Sequence, residues 1–251
     1  MRLWKFTGAC VFGLGAPLLA VYWAMSPSSQ MYGTIVTHGP RDQQVVALTF
    51  DDGPSVPWTL QIADVLDRYG IKGAFFEVGK NVDAHPAISA EMVARGHLVG
   101  NHSYQHRKRD SILQLGYGEL DRAEKSIAAA TGMCPALYRM PNGFHTPWQL
   151  HKVSGSHMTT IGWDVNPNDW KNPAADALAR NVIDSARPGS IILLHDGEDT
   201  KSITNRSATL AALPTIIEGL QAKGYRFVRL DELLQKPAYL PSCAGLKQVG
   251  A

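Results

Sequence analysis

The sequence predicts an α/β fold in which a mostly parallel β-sheet is closed, or nearly closed, into a barrel. From residue 45 onward, short apolar runs alternate with longer amphipathic segments, and this alternation favours a parallel sheet covered by helices. About seven such units fit into roughly 200 residues, which suits a barrel of parallel strands. A further apolar segment precedes the pattern and predicts an N-terminal hydrophobic anchor or signal segment.

Each predicted strand is a short apolar run, and the runs are Val45–Phe50, Gly73–Val78, His97–Gly100, Ala136–Arg139, Thr159–Trp163, Ser190–Leu194 and Tyr225–Val228. Helices are predicted between them at Trp58–Tyr69, Ala87–Arg95, Ser111–Ala130, Pro147–Val153, Pro173–Ser185 and Ala208–Lys223. Apolar residues recur at near-helical spacing in the first of these helices. Gly70 follows it as a stop signal, so the segment is predicted to end there.

The N-terminus has the features of a signal peptide or of a single membrane anchor. Arg2 and Lys5 precede an apolar stretch from Phe6 to Met25. The bulky Tyr22 and Trp23 leave no clean small-residue cleavage site, and both suit a membrane interface. These features favour an uncleaved anchor with its positive end in the cytoplasm. The remainder is predicted to be exported, as a membrane-anchored domain or, after cleavage, as a secreted or periplasmic one.

Composition limits the function classes. The 251 residues carry a formal net charge of +2 without a long basic or acidic block, so nucleic-acid binding receives little support. The short cluster Arg107-Lys108-Arg109 is typical of a solvated surface. Cys134 and Cys243 could form a disulfide in an oxidising compartment, but nothing in the sequence places them close together. No cysteine pair has the spacing of a zinc–thiolate site.

Two adjacent carboxylates, Asp51 and Asp52, stand at the end of the first predicted strand, before the turn residues Gly53 and Pro54. Because like charges repel, a nearby cation would help to keep both ionised, whereas the alternative is an ordinary solvated turn. Other polar clusters also follow predicted strands, and the carboxyl ends of barrel strands share the face on which active sites are built. These clusters are Asn101–His106, Arg139–Gly143, Asp164–Trp170 and His195–Gly197.

His102 and His106 are four residues apart, so on one helical turn both rings would point to the same side. Two imidazoles, one carboxylate and an open position are typical of a catalytic site for Zn²⁺ or a similar divalent ion. Asp52, at a neighbouring strand end, would supply the carboxylate. The alternative is a pair of surface histidines.

A metal-assisted hydrolysis also needs a base and an acid. Asp51 is placed to be the base, and His195 to be the acid, because imidazole titrates near neutrality. Arg139 could orient Asp51, and Asp169 could favour the protonated ring of His195. The alternatives are a buried strand that happens to end in histidine and an ordinary surface salt bridge for the arginine.

Two further residues are predicted to contact the substrate. Trp170 and Leu194 would form an apolar wall for a small acyl group. A plain core role is the alternative for Trp170.

Five segments resemble, in order, the five motifs of the polysaccharide deacetylase family (the NodB-homology, carbohydrate esterase family 4 domain). The resemblance covers roughly Val45 to Leu234, and five ordered motifs at plausible spacing are highly specific. The second segment matches the pattern H-[ST]-x-x-H. The five are Thr49–Pro54, His102–His106, Arg139–Gly143, Asp164–Trp170 and Ile192–His195.

The resemblance implies a distorted (β/α) barrel that removes N-acetyl groups from N-acetylglucosamine-containing glycans with a divalent metal ion. Zn²⁺ is favoured, and Co²⁺, Ni²⁺ and Mn²⁺ are alternatives. The glycan would be peptidoglycan, a chitooligosaccharide or an exopolysaccharide. Together with the N-terminal pattern, the resemblance predicts an anchor or signal with linker over 1–30, a NodB-like deacetylase domain over 31–240 and a C-terminal tail over 241–251.

The resemblance also implies a role for each site residue. Asp51 would be the base, His195 the acid tuned by Asp169, and Arg139 would orient the base. The metal ligands would be Asp52, His102 and His106.

Asn142 departs from the family pattern, which often has an aromatic residue there. The backbone N–H of Asn142 could still stabilise an oxyanion, so the substitution affects the expected substrate preference rather than the reaction.

Two alternative functions remain open at this level. A metal hydrolase of this kind could instead act on an O-acetyl ester, a lipid-linked formamido sugar or a non-sugar amide. The second alternative is an inactive, membrane-tethered glycan-binding module. Such a module would be expected to lack a metal ligand, the base or the acid, and here none is missing.

Overall fold

The structure is a computed structural model that describes residues 26–198 and 205–243. The predicted N-terminal anchor or signal lies outside the described residues. Within the described part of the chain, no helix is long and apolar enough to cross a bilayer.

A curled parallel sheet forms a half-barrel, which confirms the predicted α/β class. Its strands run in the order β6-β5-β3-β2-β1-β7, and β8 pairs beside β1. A separate antiparallel pair joins β4 to β9. The strands are β1 Val45–Asp51, β2 Ala74–Glu77, β3 Leu98–Asn101, β4 Cys134–Pro135, β5 Leu137–Tyr138, β6 Thr159–Thr160, β7 Ser190–His195, β8 Arg226–Phe227 and β9 Tyr239–Leu240.

Helices connect the strands and cover the outer face of the sheet. The helices are α1 Trp58–Arg68, α2 Gly79–Ala84, α3 Pro86–Ala94, α4 Lys108–Leu113, α5 Gly118–Thr131, α6 Pro147–Gly155, α7 Ala175–Ser185, α8 Ser207–Ala222 and α9 Leu230–Leu234. Two short 3₁₀ turns, Pro141–Gly143 and Asp169–Lys171, follow β5 and β6.

Loop residues partly fill the gap between the end strands β6 and β7. Val36 pairs with Ile161, beyond the end of β6, and His38 pairs with Ser190 of β7. Val165 pairs with Ile192 of the same strand. Only isolated bridges, and no continuous ladder, join this side of the described sheet. The sheet is therefore a half-barrel and not a closed barrel.

The two faces of β1 show how the core positions the site. All seven residues of β1 are buried. Val46, Leu48 and Phe50 pack outward in a cluster with α1, α7 and α8, whereas Val45 and Ala47 pack inside the curl. Because side chains alternate along a strand, Asp51 lies on the inner face with Ala47. The strand thus directs its terminal carboxylate into the half-barrel.

Several predicted elements differ from the structure. The single helix predicted over Ser111–Ala130 is two helices, α4 and α5, because Tyr117 has a left-handed backbone (φ 41°) that a continuous helix excludes. The helix α2 and the antiparallel pair β4–β9 were not predicted. Cys134 and Cys243 form a disulfide with a Cα–Cα distance of 5.1 Å.

Candidate active site

A cavity of about 510 Å³ opens at the carboxyl ends of the strands. Seven of the ten predicted site residues line it, namely Asp51, Asp52, His102, His106, Asn142, Trp170 and His195. Arg139 and Asp169 are fully or almost fully buried, and each contacts one of the lining residues from behind. Leu194 does not reach the cavity.

Asp52, His102 and His106 form a buried cluster with the composition of a metal site. Their ligand atoms all lie within 4.8 Å of one another. Asp52 Oδ1 is 3.4 Å from His102 Nε2 and 3.2 Å from His106 Nε2. Since a carboxylate and two imidazoles suit zinc and similar ions, this donor set fits a divalent cation.

The hydrogen bonds of the cluster support this fit. His102 Nδ1 donates to the carbonyl oxygen of Arg139 at 2.9 Å, so a neutral ring keeps its lone pair on Nε2, which faces Asp52. Asp52 Oδ1 is buried without a hydrogen-bond partner among the described residues. Burial alone would raise the pKa of Asp52, but the charges of His106, His195 and His102 hold that pKa well below its usual range.

The two histidines converge through a loop and not, as predicted, through one helical turn. Residues 102–106 contain no helix, and Ser103 (φ 65°) and His106 (φ 54°) have left-handed backbones. The loop is held by the side chain of Asn101, which accepts from the Ser103 N–H at 2.9 Å. The Ser103 hydroxyl in turn accepts from the His106 N–H at 3.1 Å. Such strained positions are typical of functional sites.

Arg139 fixes the orientation of Asp51. Its side chain is 0% exposed, which excludes the surface salt bridge considered from the sequence. Arg139 Nη1 donates to Asp51 Oδ1 at 2.7 Å and to the hydroxyl of Thr49 at 2.8 Å. Asp51 Oδ2 lies 3.7 Å from His102 Nε2. One carboxylate oxygen is therefore held by the guanidinium, and the other faces the metal cluster.

His195 and Asp169 form a second buried pair at the cavity. Asp169 Oδ1 lies 2.7 Å from His195 Nδ1, and Asp169 Oδ2 accepts from the backbone N–H of His195 and from the hydroxyl of Thr209. Burial favours the neutral ring of His195. The charge and hydrogen bond of Asp169, with the charges of Asp52 and Asp51, outweigh burial and raise the pKa of His195 to about 9.

Asn142 and Trp170 line the edges of the cavity. Asn142 has a left-handed backbone (φ 57°), a conformation that asparagine tolerates better than most residues. Trp170 is 53% exposed, so the plain core role does not apply to it. Both side chains are accessible to a molecule in the cavity.

Leu194 was predicted to form an apolar wall of the site, but it does not line the cavity. It is buried in the outer core cluster, and Leu193 lines the cavity instead. The physical reason is the alternation of side chains along β7, in which Ile192 and Leu194 face the helices while Leu193 and His195 face inward. Counting back two positions from His195 would have identified Leu193 from the sequence.

Sequence reasoning also missed residues that support the site from behind. Thr49 donates to the Ile192 carbonyl at 2.7 Å and so links β1 to β7 beneath Asp51. Asp196 is 0% exposed and accepts from the Thr59 hydroxyl at 2.5 Å. Burial raises the pKa of Asp196 to about 7, and the charges of Asp52 and Asp51 add to the effect, although the Thr59 hydrogen bond opposes it. The position of Asp196 beside His195 was the available signal.

Comparisons with known proteins identify the family of this chain. A family profile described as polysaccharide deacetylase matches residues 38–161. The chain is 33% identical over 207 residues to a peptidoglycan-N-acetylglucosamine deacetylase of Bacillus cereus, an alignment covering 81% of this chain and 94% of that relative. It is 32% identical over 193 residues to a chitooligosaccharide deacetylase of Azorhizobium caulinodans, covering 74% and 92%.

The likeness extends to three dimensions. A crystal structure of a peptidoglycan N-acetylglucosamine deacetylase superposes with a TM-score of 0.76 at 31% sequence identity, covering 81% of this chain and 94% of that one. Sequence identity above 30% over nearly the whole length of these relatives indicates membership of one family and not only a shared fold. The chain belongs to the polysaccharide deacetylase family, with the NodB-like domain of carbohydrate esterase family 4.

Proposed function

We propose that the protein is a metal-dependent hydrolase that removes N-acetyl groups from N-acetylglucosamine units of peptidoglycan or of a chitooligosaccharide. The observation that carries this proposal is the convergence of three different groups on one cavity. These are a buried Asp-His-His cluster, a carboxylate paired with a buried arginine, and a histidine paired with a buried carboxylate.

Asp52, His102 and His106 would hold the metal ion, for which Zn²⁺ is our first choice. When bound, a divalent ion supplies Lewis acidity, because it polarises a carbonyl group and lowers the pKa of water. The carbonyl of Arg139 keeps the ring of His102 oriented toward the cluster.

Asp51 would act as the general base. Its Oδ1 is engaged by Arg139 and its Oδ2 faces the cavity, so the free oxygen can take a proton from the attacking water. The guanidinium holds the carboxylate in a fixed orientation at the cavity.

His195 would act as the general acid. Amide hydrolysis must deliver a proton to the departing nitrogen, and the raised pKa of His195 keeps its ring protonated at neutral pH. Asp169 holds the ring from the Nδ1 side, so Nε2 is the atom left to donate.

The cavity edges would bind the sugar and the acyl group. The backbone N–H of Asn142 would donate to the oxyanion that develops on the carbonyl oxygen. Trp170 and Leu193 provide apolar surface for the acetyl methyl and the sugar ring.

We also propose that the domain works outside the cytoplasm. Arg2, Lys5 and the apolar stretch Phe6–Met25 have the pattern of an export signal or anchor. The disulfide between Cys134 and Cys243 supports this location, because such bonds persist in oxidising compartments.

The metal cluster provides the direct test of the reaction. In Asp52→Ala and His102→Ala we expect the bound metal to be lost and acetate release from N-acetylglucosamine oligomers to fall by about a thousandfold or more, because several kcal/mol of Lewis-acid stabilisation disappear. Metal content is measured by elemental analysis, and acetate by an enzyme-coupled assay with and without chelator. His151→Ala, at an exposed position on α6, is the matched control.

The same assay separates the alternatives. Release of formate, or of acetate only from O-acetylated sugars, would replace the N-acetyl substrate. Retained acetate release in either ligand variant, or a metal-loaded protein that releases no acyl group from any of these glycans, would refute the proposed reaction.

A further inference from the structure

We propose that the catalytic face of this protein docks on an anionic lipid bilayer. The contact would be made by a basic and apolar surface on the cavity rim, comprising Arg107–Arg109, Ile112, Leu113 and Leu115, which we call the rim patch. Such docking is separate from the deacetylation reaction and can be measured without catalysis.

A segment close to the N-terminus forms part of the cavity wall. Pro27 is one of the cavity-lining residues. It packs so closely on the next wall segment that a Cβ atom placed on Gly143 would lie 2.7 Å from Pro27 Cγ. Gln30 anchors the segment, because its side chain exchanges two hydrogen bonds of 2.8 Å with the backbone of Ile35.

The apolar stretch of the sequence ends two residues before this point. Phe6–Met25 comprises 20 residues, the length needed for a membrane-spanning helix. Two residues of chain reach at most about 7 Å, so Pro27 cannot lie far from the point at which Met25 would leave a membrane. If the stretch is the predicted anchor, the cavity wall lies close to the bilayer surface.

Exposed apolar side chains are concentrated on the same face. Among the described residues, the large apolar side chains that are exposed are Met31, Val56, Ile112, Leu113, Leu115 and Trp170. All except Met31 lie in the connections that follow the carboxyl ends of β1, β3 and β6, the end of the sheet at which the cavity opens. Leu113 and Leu115 are 74% and 72% exposed.

The rim patch adjoins the point where Pro27 enters. Lys108 Nζ lies 4.5 Å from the centre of the Phe144 ring, and Phe144 directly follows Gly143. The indole N–H of Trp148 donates to the Ser111 carbonyl at 2.8 Å, which fixes α4 to this wall. The N-terminal segment and the rim patch thus form one continuous side of the mouth.

The charge of the rim patch complements an anionic membrane. Arg107, Lys108 and Arg109 are exposed and stand beside the exposed Ile112 and Leu113. The adjacent Asp110 is largely buried, with Arg109 Nε 3.8 Å from its carboxylate. Basic side chains that flank apolar ones are typical of surfaces that bind anionic headgroups. A docked face would favour glycans that lie next to the bilayer.

Site-directed spin labelling of the full chain tests the proposal. In a Cys10→Ser background, a nitroxide is attached at Leu113→Cys or, as a control on the opposite face, at the exposed Gln221→Cys of α8. The proteins are reconstituted in nanodiscs of phosphatidylglycerol and phosphatidylcholine, or of phosphatidylcholine alone. Depth is measured from the accessibility of each label to oxygen and to a water-soluble nickel chelate.

We expect the Leu113 label to be immersed in anionic nanodiscs and the Gln221 label to stay in water. The triple variant Arg107→Gln, Lys108→Gln, Arg109→Gln should lower the ratio of docked to undocked protein by about a hundredfold, at roughly fivefold per charge.

Three results would overturn the proposal. The first is equal exposure of both labels to water in anionic nanodiscs, and the second is failure of the full chain to remain with the discs. The third is protection of the Leu113 label by a soluble chitooligosaccharide instead of by lipid, which would assign the rim patch to the glycan.

Discussion

Arg139 is a charged side chain without exposed surface, and its surroundings explain how it remains there. Burial lowers the pKa of its guanidinium, while the charge and hydrogen bond of Asp51 oppose this effect. Its Nη2 donates to the Gly162 carbonyl at 3.0 Å, and the guanidinium lies 4.1 Å from the centre of the Phe76 ring. Removal of either partner from a buried ion pair leaves an uncompensated buried charge. Arg139 and Asp51 therefore depend on each other.

The pair His195–Asp169 leads to a prediction at the scale of single residues. In Asp169→Asn the negative charge that keeps His195 protonated is lost, so the pKa of His195 should fall from about 9 toward its ordinary value. A bound cation would offset part of the Asp52 charge in both proteins. We expect the alkaline limb of the kcat/KM–pH profile to move to lower pH by at least about one unit, and kcat at neutral pH to fall by about 10²- to 10⁴-fold.

Asp176→Asn, at an exposed position on α7, is the control for this change. Metal content should be the same in the original protein, in Asp169→Asn and in Asp176→Asn. An Asp169→Asn profile that superposes on that of the original protein would show that His195 is not the acid.

At the scale of elements, the alternation of side chains along two central strands assigns each residue to the site or to the core. Asp51 pairs in register with His195 across β1 and β7, so the base and the acid stand on adjacent strand ends. Both strands are buried on both faces, as expected for a parallel sheet covered by helices. The outward residues hold the helices in place and the inward ones build the site.

Glu77, at the end of β2, leads to a prediction about stability. It is 0% exposed and accepts from the Ser89 hydroxyl of α3 at 2.5 Å. Burial raises its pKa to about 8, although the Ser89 hydrogen bond opposes the shift. The folded protein therefore retains a proton that the unfolded chain releases near pH 4.3. The resulting contribution to stability is complete below that pH and is lost as the pH rises to about 8.

In Glu77→Gln this contribution to the pH dependence should disappear, because the amide does not ionise. The decline in the free energy of unfolding that one proton causes, at most about 1.4 kcal/mol per pH unit, should be absent between pH 5 and 8. Urea unfolding at several pH values measures it, with the exposed Glu232→Gln as control. Equal slopes in Glu77→Gln and the original protein would contradict a protonated Glu77.

At the scale of the whole molecule, the C-terminal end of the described chain is tied to the middle of the sequence. Tyr239 of β9 pairs with Pro135 of β4, and its hydroxyl accepts from the Val99 N–H at 3.0 Å. The disulfide closes this connection over a sequence separation of 109 residues. The segment after α9 is thereby joined to the strand region that leads into β5 and Arg139.

Removal of this disulfide should destabilise the whole domain. In the double variant Cys134→Ala, Cys243→Ala we expect the free energy of unfolding to fall by about 2–5 kcal/mol, because a long loop is released in the unfolded chain. Denaturant unfolding without reductant measures the loss, and Cys10→Ala serves as the control. If the double variant unfolds at the same denaturant concentration as the control, the bond contributes nothing to stability.

Local patterns in the chain predicted the class of fold, the strand ends that carry the site and seven of the residues that line the cavity. These features are local: apolar runs of strand length, turn residues after them, and polar clusters whose order matches five family motifs. A parallel sheet places such clusters on one face whatever the details of packing, so Asp51, His102 and His195 could be expected to converge.

Other features depend on contacts between segments that are distant in the sequence, so they emerge only when the chain is folded. The burial of Arg139 requires Phe76, Gly162 and Asp51 to surround it, and the pairing of Cys134 with Cys243 depends on the β4–β9 pair. The approach of His102 to His106 arises from a strained loop held by Asn101, where spacing alone suggested a helix. In each case the deciding energy lies in burial and in hydrogen bonds across the fold, which the local pattern of one segment does not contain.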